Sequence, residues 1–313
     1  MIVAAIDIGT NTVLLLVAHI DNAGAIKPLL YEQRVPRLGR GVDARKNLKQ
    51  ESMLRVIDVL SEYKHAMAAF EPNAAVVGAT SAVRDAHNRV EFAQLVKQRV
   101  GFNLDVLSGD DEAYWTYRGA ISGIPHIHRA TVVDIGGGST EIITGDAHEI
   151  FQRASLDIGS VRMTERFFKH DPPLESEIRE ATMWLKEELG AVDNFSFEES
   201  TLVGVAGTAT SLAILDQELH EFTIEAIINY HLKLKRIQAL VNKLKAMTAS
   251  HILQLSTVMQ GRSDVITAGA IILLEIMTQY GFDEIVISER GVRYGLALRE
   301  WEKTLANQSG RHA

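Results

Sequence analysis

The chain has 313 residues, 46% hydrophobic and 23% charged, with six prolines and 23 glycines; this excludes a disordered or fibrous polymer and provides for two lobes of ordinary size. A net charge of −8 argues against a nucleic-acid or membrane surface at the level of the whole chain. Cysteine is absent, which removes a disulfide framework, a thiolate metal site and a cysteine nucleophile, and is in keeping with a reducing cytoplasm.

The apolar start, MIVAAIDIGTNTVLLLVAHID, carries Asp7 and lacks the basic residues and cleavage site of a signal peptide, so it reads as a pair of strands. Met53, Val56, Ile57, Leu60, Tyr63 and Met67 recur at three- and four-residue steps and predict a helix over 50–70. Ala74 to Ala79 follows as a buried strand. Helices are expected at 88–99, 111–122, 174–190, 234–247, 262–280 and 292–306, and strands near 103–107, 131–135, 140–145, 201–205 and 284–288. This alternation defines an α/β fold. The basic run HLKLKR at 231–236 reads as the solvated face of a helix. Val265 to Leu274, about half a membrane span and flanked by Asp264 and Glu275, reads as a buried helix.

A weak internal repeat organises the chain. AAIDIGTNTVLLLVAHID and TVVDIGGGSTEIITGDAH each run apolar strand, Asp-Ile-Gly, small or polar residues, apolar strand. Superposed, Asp7 meets Asp134, Gly9 meets Gly136 and Thr12 meets Ser139. Two copies imply two similar lobes, 1–125 and 126–313, with a boundary near Ile124-Pro125-His126 and a hairpin turn from each lobe at a shared cleft.

Such turns suit phosphate. Gly9, Thr10, Asn11 and Thr12 in one copy, and Gly136, Gly137, Gly138, Ser139 and Thr140 in the other, offer close backbone approach, inward N–H groups and hydroxyl donors. Asp7 and Asp134 cannot bind phosphate directly; their expected role is to hold Mg²⁺, a hard cation that takes carboxylate and phosphate oxygens together. A single such turn could equally be a plain hairpin; two matched copies favour the phosphate reading. A third glycine segment, Gly204 to Thr210, runs from strand to helix. Gly207 and Thr208 there present helix N-terminal N–H groups to an anion or nucleotide, the alternative being capping by Thr208 alone.

With these motifs the chain resembles the exopolyphosphatase and guanosine pentaphosphate phosphohydrolase family, within the actin, Hsp70 and sugar-kinase fold group. The likeness runs in order through DIGTNT at 7–12, GATSAVRDAHN at 78–88, LSGDDEA at 107–113, VVDIGGGSTEI at 132–142, SLDIGSVRMTERF at 155–167, GVAGTATSL at 204–212, GRSDVITAGA at 261–270 and ISERGVRYG at 287–295. It implies two actin-like, ribonuclease H-like lobes with an interdomain active-site cleft. It also implies Mg²⁺-dependent release of terminal phosphate from polyphosphate or guanosine pentaphosphate.

Residue patterning alone does not separate Asp110, Asp111 and Glu112; the resemblance selects Glu112 as the group that accepts a proton from the attacking water. It gives Glu141 a metal- or water-positioning role and Arg84 a phosphate contact, for which a planar guanidinium is suited. Arg262 and Arg293 could extend a basic cleft or hold a domain interface. Leu14 stands where some relatives place a phosphate-contacting arginine. The family's C-terminal helical domain with its His-Asp metal motif is not expected: His170-Asp171 before Pro172-Pro173 reads as a turn, and His126-Ile127-His128 as surface loop. The expected partner is therefore polyphosphate or guanosine pentaphosphate, with no nucleic acid or membrane, and a homodimer is allowed. The competing readings are an actin-fold kinase or ATPase, and a non-catalytic sensor of the same phosphates.

Overall fold

The structure, a computed structural model, describes residues 1–124 and 127–309. Pro125 of the expected boundary and His126 of the histidine pair lie outside the described residues. Two compact units divide the chain: Met1–Ser122 with Arg290–Ala313, and Gly123–Glu289.

In the first unit β1 (Ile2–Ile8), β2 (Val13–Ile20), β3 (Ile26–Arg34), β4 (Ala74–Ala79) and β5 (Leu104–Val106) form one sheet in the order β3-β2-β1-β4-β5. β1, β2 and β3 are successive antiparallel neighbours, while β4 and β5 lie parallel to β1. Its helices include α1 (Gln50–Ala68), the single turn α2 (Ser81–Arg84), α3 (Arg89–Arg99) and α4 (Gly109–Ile121). The second unit repeats the plan. β6 (Ala130–Ile135), β7 (Thr140–Gly145) and β8 (Ile150–Leu156) form the antiparallel half of a sheet ordered β10-β11-β9-β6-β7-β8. β9 (Thr201–Val205) is parallel to β6, β11 (Glu284–Ile287) is parallel to β9, and β10 (His231–Lys233) is added antiparallel at the edge. Around it lie α5 (Ser160–Phe167), α6 (Glu175–Leu189), α7 (Ala206–Asp216), α8 (Leu234–Leu244) and α9 (Ile266–Tyr280). Each sheet therefore contains the same 3-2-1-4-5 strand order, the ribonuclease H-like arrangement of actin-like folds.

β1 explains why the last helix, α10 (Val292–Ser309), belongs to the first unit. Successive strand residues face opposite sides of a sheet. Ala4, Ile6 and Ile8 join a core with Val56, Leu60, Phe92 and Val96, whereas Val3 and Ala5 join another with Leu16, Leu107, Val292 and Leu296. A strand apolar on both faces needs cover on both, and α10 supplies the second. The expected division at 125 is corrected accordingly: the chain leaves the first unit, builds the second, and returns. α10 seats tightly because it meets α4 through glycine; a Cβ on Gly295 would collide with the Trp115 carbonyl, and one on Gly119 with the Gly291 carbonyl.

Other departures have local causes. β3 carries Pro28, is exposed at Lys27–Leu29 and half-buried from Leu30 on, and its register with β2 shifts between Val17 and Ala18, so it lacks clean alternation. The run at 231–236 is not one helical face: His231–Lys233 is β10, and α8 begins at Leu234. His170 lies in a bend and pairs with Glu177 (Nδ1 to Oε1, 2.8 Å). Among the described residues no helix is long and apolar enough to cross a membrane.

Helix propensity alone predicts that Gly295→Ala stabilises α10 by up to about 1 kcal/mol. The backbone contact with Trp115 predicts the reverse, a loss of about 1–3 kcal/mol from overpacking. The urea midpoint of the variant should fall; a rise would show that α10 does not seat on α4 as described.

Candidate active site

The first unit's hairpin turn follows β1 directly. The Gly9 N–H donates to the Thr12 carbonyl (2.9 Å), the Gly39 N–H to the Thr10 carbonyl (2.8 Å) and the Arg37 N–H to the Asn11 carbonyl (3.1 Å). In a trans peptide the carbonyl and the following N–H point in opposite directions, so the N–H groups of Asn11 and Thr12 face away from the 37–39 segment. Thr10 Oγ1 is 2.9 Å from Ser81 Oγ and nearly buried, so this hydroxyl anchors the turn to α2.

Behind that turn lies a charged cluster. Ser108 caps α4, accepting from the Asp111 N–H (3.0 Å) and donating to Asp111 Oδ2 (2.7 Å). Asp110 and Asp111 are exposed, whereas Glu112 is only 6% exposed. Helix phase thus separates three acids that residue order does not. Arg84 Nη1 donates to Glu112 Oε2 at 2.6 Å and to the Leu107 carbonyl at 3.3 Å, with Asp85 at 4.0 Å from its Nε. Burial pushes the Glu112 carboxyl above its usual range; Arg84 and a hydrogen bond from Thr80 oppose this, and Asp85 adds to it.

Asp7 stands at the end of β1. Its Oδ1 is buried without a hydrogen-bond partner among the described residues. Burial, then the Glu112 charge, raises its carboxyl from 3.8 to about 7, against the opposing charge of Arg293. Arg293, on α10, is buried and stacked over Tyr31 (4.6 Å) and Tyr294 (5.3 Å). Its charge acts on Asp7 within the first unit.

In the second unit the triple-glycine turn is held from behind. Gly136 donates its N–H to the Ser139 carbonyl (3.0 Å). The Gly136 carbonyl accepts from the Ser160 N–H (2.9 Å), the Gly137 carbonyl from the N–H groups of Val161 and Arg162 (2.9 and 3.0 Å), and the Gly138 carbonyl from Arg162 Nε (2.7 Å). With three successive carbonyls drawn to the start of α5, the N–H groups of Gly137, Gly138 and Ser139 face the other way, as an anion nest requires. Gly159 permits the approach, since a Cβ there would collide with the Gly137 carbonyl.

Asp134 and Glu141 are direct partners across β6 and β7, so both carboxylates leave the same face of the sheet. Ser155, the cross-strand partner of Glu141 on β8, donates to Glu141 Oε1 at 2.7 Å. Thr140 turns to the opposite face and donates its proton to the Ile158 carbonyl (2.7 Å). In the third glycine segment Thr208 donates to the Ile135 carbonyl (2.9 Å), and the Gly207 carbonyl accepts from Arg262 Nη1 (3.0 Å), which also reaches Ser211 Oγ (3.1 Å). The hydroxyl protons of Thr140 and Thr208 are thus spent on positioning the loops, and Arg262 acts within the second unit.

Like charges directly opposed across strands repel, and an orphaned buried carboxylate oxygen is costly. The Asp134–Glu141 pair of the second unit, and separately Asp7 of the first, accordingly each fit a hard divalent cation. Among the described residues no group of three or more acidic or histidine side chains converges as a cage, so such an ion would complete its shell with water and phosphate oxygen, the usual habit of Mg²⁺. Residue patterning assigned no role to Ser155, Ser160 or Arg162, although all three fall within the 155–167 segment.

A family model described as the Ppx/GppA phosphatase family matches residues 16–304. Exopolyphosphatase 2 of Mycobacterium tuberculosis is 35% identical over 95% of this chain and 97% of its own length. The guanosine-5'-triphosphate,3'-diphosphate pyrophosphatase of Vibrio campbellii is 32% identical over 94% of this chain and 58% of that protein. The crystal structure of the Aquifex aeolicus member of the Ppx/GppA family superposes with a TM-score of 0.82 at 31% identity, covering 97% of this chain and 98% of that one.

Because the folded state holds the Asp7 proton up to about pH 7 rather than 3.8, this group favours folding fully below the lower value. That contribution, at most about 4 kcal/mol, is lost as pH rises through the upper one. In chelated protein, Asp7→Asn should therefore flatten the decline of thermal stability across that window. Equal declines in both proteins would mean that Asp7 is ionised throughout.

Proposed function

From the premise that the chain belongs to the Ppx/GppA phosphatase family, we propose that it hydrolyses the terminal phosphoanhydride bond of inorganic polyphosphate, and of guanosine pentaphosphate, whose triphosphate arm presents the same group. The relative that this chain matches over 97% of its length is named an exopolyphosphatase, which favours polyphosphate. The cysteine-free composition goes with a cytoplasmic setting.

The observation that carries the reading is the buried Glu112 held by Arg84 at 2.6 Å. Phosphoryl transfer to water needs a positioned nucleophile and charge neutralisation more than covalent chemistry. Glu112 takes a proton from water as the water oxygen bonds to the terminal phosphorus and the bridging P–O bond breaks, leaving orthophosphate and a chain one unit shorter. A carboxyl whose proton affinity is raised by burial, with the Arg84 cation opposing the rise, is a stronger base than an ordinary carboxylate. Arg84 also offers guanidinium donors to the phosphate oxygens. The outward N–H groups of the 9–12 turn in the first unit and of the 136–139 turn in the second bind phosphate; Asp7 in the first unit, and Asp134 with Glu141 in the second, are the carboxylates that would hold Mg²⁺. When bound, that ion neutralises phosphate charge.

Phosphate release with Mg²⁺ should fall by about 10²–10⁴-fold in Glu112→Gln while substrate affinity is kept. Full activity in that variant would remove Glu112 from the mechanism, and binding without turnover in the parent would make the protein a sensor. In Arg84→Gln the acid limb of the kcat/KM profile should move to higher pH, because the cation that favours ionised Glu112 is gone; a limb that stays put would separate Arg84 from the base.

A further inference from the structure

The first unit carries a basic strip that starts at its phosphate turn. Between positions 37 and 49 the sequence holds five basic residues, Arg37, Arg40, Arg45, Lys46 and Lys49, against one acid, Asp43, in a chain of net charge −8. The strip is tied down at both ends. At one end the backbone of Arg37 and Gly39 bonds the carbonyls of Asn11 and Thr10. A Cβ on Gly39 would collide with the Thr10 side chain and approach Ala82 Cβ to 3.1 Å. At the other, the Lys46 carbonyl accepts from the His87 N–H (2.7 Å), and Asn88 forms a two-way bond with the Leu48 backbone (2.9 and 3.0 Å). Arg89 closes the turn by donating to the Arg84 carbonyl at 2.9 Å.

The segment therefore bridges the phosphate-binding turn at 9–12 and the turn that carries Arg84. Arg40, Arg45, Lys49 and Arg89 are exposed. Among the described residues Arg40, Arg45 and Lys49 make no ion pair, so their charges act outward. We propose that this strip is the docking track for the uncleaved remainder of a long polyphosphate chain, with the terminal group at the Arg84–Glu112 pair. The proposal rests on the hydrolase reading. It adds that grip on the polymer is exercised by residues 37–49 of the first unit.

A polyphosphate is an unbroken anion without bases, and a track for it needs cations on a fixed backbone and nothing to stack on. The sequence holds no aromatic residue between Tyr31 and Tyr63, whereas a single-stranded nucleic acid is ordinarily gripped by basic residues interleaved with aromatic stacking platforms. Phosphate contacts of this kind release counterions, so affinity falls steeply with salt, by about 0.7–0.9 in log–log slope per contact.

The test compares the parent with the triple variant Arg40→Ala, Arg45→Ala, Lys49→Ala, on long polyphosphate and on tripolyphosphate across a KCl series. For the long polymer, KM should rise about tenfold or more and its salt slope should drop by about 2–3; kcat and the tripolyphosphate KM should be unchanged. Unaltered long-chain KM and slope, or equal losses on both substrates, would overturn the track. The double variant Arg40→Lys, Arg45→Lys, with Lys49 left in place, keeps the charge and should retain the parent's long-chain KM, and an unchanged thermal midpoint checks folding. Equilibrium binding of fluorescent polyphosphate to both proteins reads the strip even where no phosphate is released, a result that would sink the hydrolase reading alone. Tighter binding of a single-stranded oligonucleotide of equal charge would transfer the strip to nucleic acid and refute the proposal.

Discussion

The Arg84–Glu112 ion pair sets the terms for the first unit. A carboxylate that is nearly buried must either hold a proton or face a cation, and here it faces one at 2.6 Å. To place that cation the chain spends α2, a single helical turn directly after β4, anchored through Ser81 to Thr10 of the phosphate turn. To place the carboxylate it spends the first turn of α4, with Ser108 as cap and Glu112 on the inner face. Arg84 therefore acts on Glu112 and remains partly exposed for phosphate. In the proposed reaction the same side chain would control the proton affinity of the base and meet the charge of the substrate.

The two hairpins show how one backbone plan carries different chemistry. In both, the Asp-Ile-Gly step ends a central strand and the glycine N–H closes the turn. The position across from the aspartate differs: Leu14 faces Asp7, and Glu141 faces Asp134. The first copy instead receives its second carboxylate from α4 and its balancing cation from α10 through Arg293. The second draws Ser155 from β8 and has its turn braced by α5. Identical geometry at the turn thus coexists with unlike surroundings, because the side chains beyond the turn come from segments far away in sequence.

This also marks what was legible in the residues. The two turns, the α/β alternation and most helices could be read from glycine placement and periodicity, since those are local properties. Glu112 needed the family resemblance, because burial depends on the phase of α4 relative to Arg84, twenty-eight residues earlier. The 160–162 brace was hidden because a carbonyl accepting from a distant N–H leaves no mark on its own residue type. α10 was recognised as an amphipathic helix, but amphipathicity states that a face is covered and not which sheet it covers. Only the two-sided apolar pattern of β1, read with the glycines at 119 and 295, assigns it to the first unit.

The return of α10 ties the chemistry to the fold. Its apolar side covers the second face of β1 through Val292 and Leu296, and between them Arg293 meets the charge of Asp7 at the end of the same strand. A half-buried carboxylate at a strand end with one buried, unpaired oxygen costs stability, and the unit offsets this with two apolar layers on one sheet. Among the described residues no donor claims Asp7 Oδ1, and the proposed ion would find its lone pairs open. Stability is thus surrendered at an unsatisfied oxygen, the one the proposed chemistry would use, and recovered where only packing is at stake.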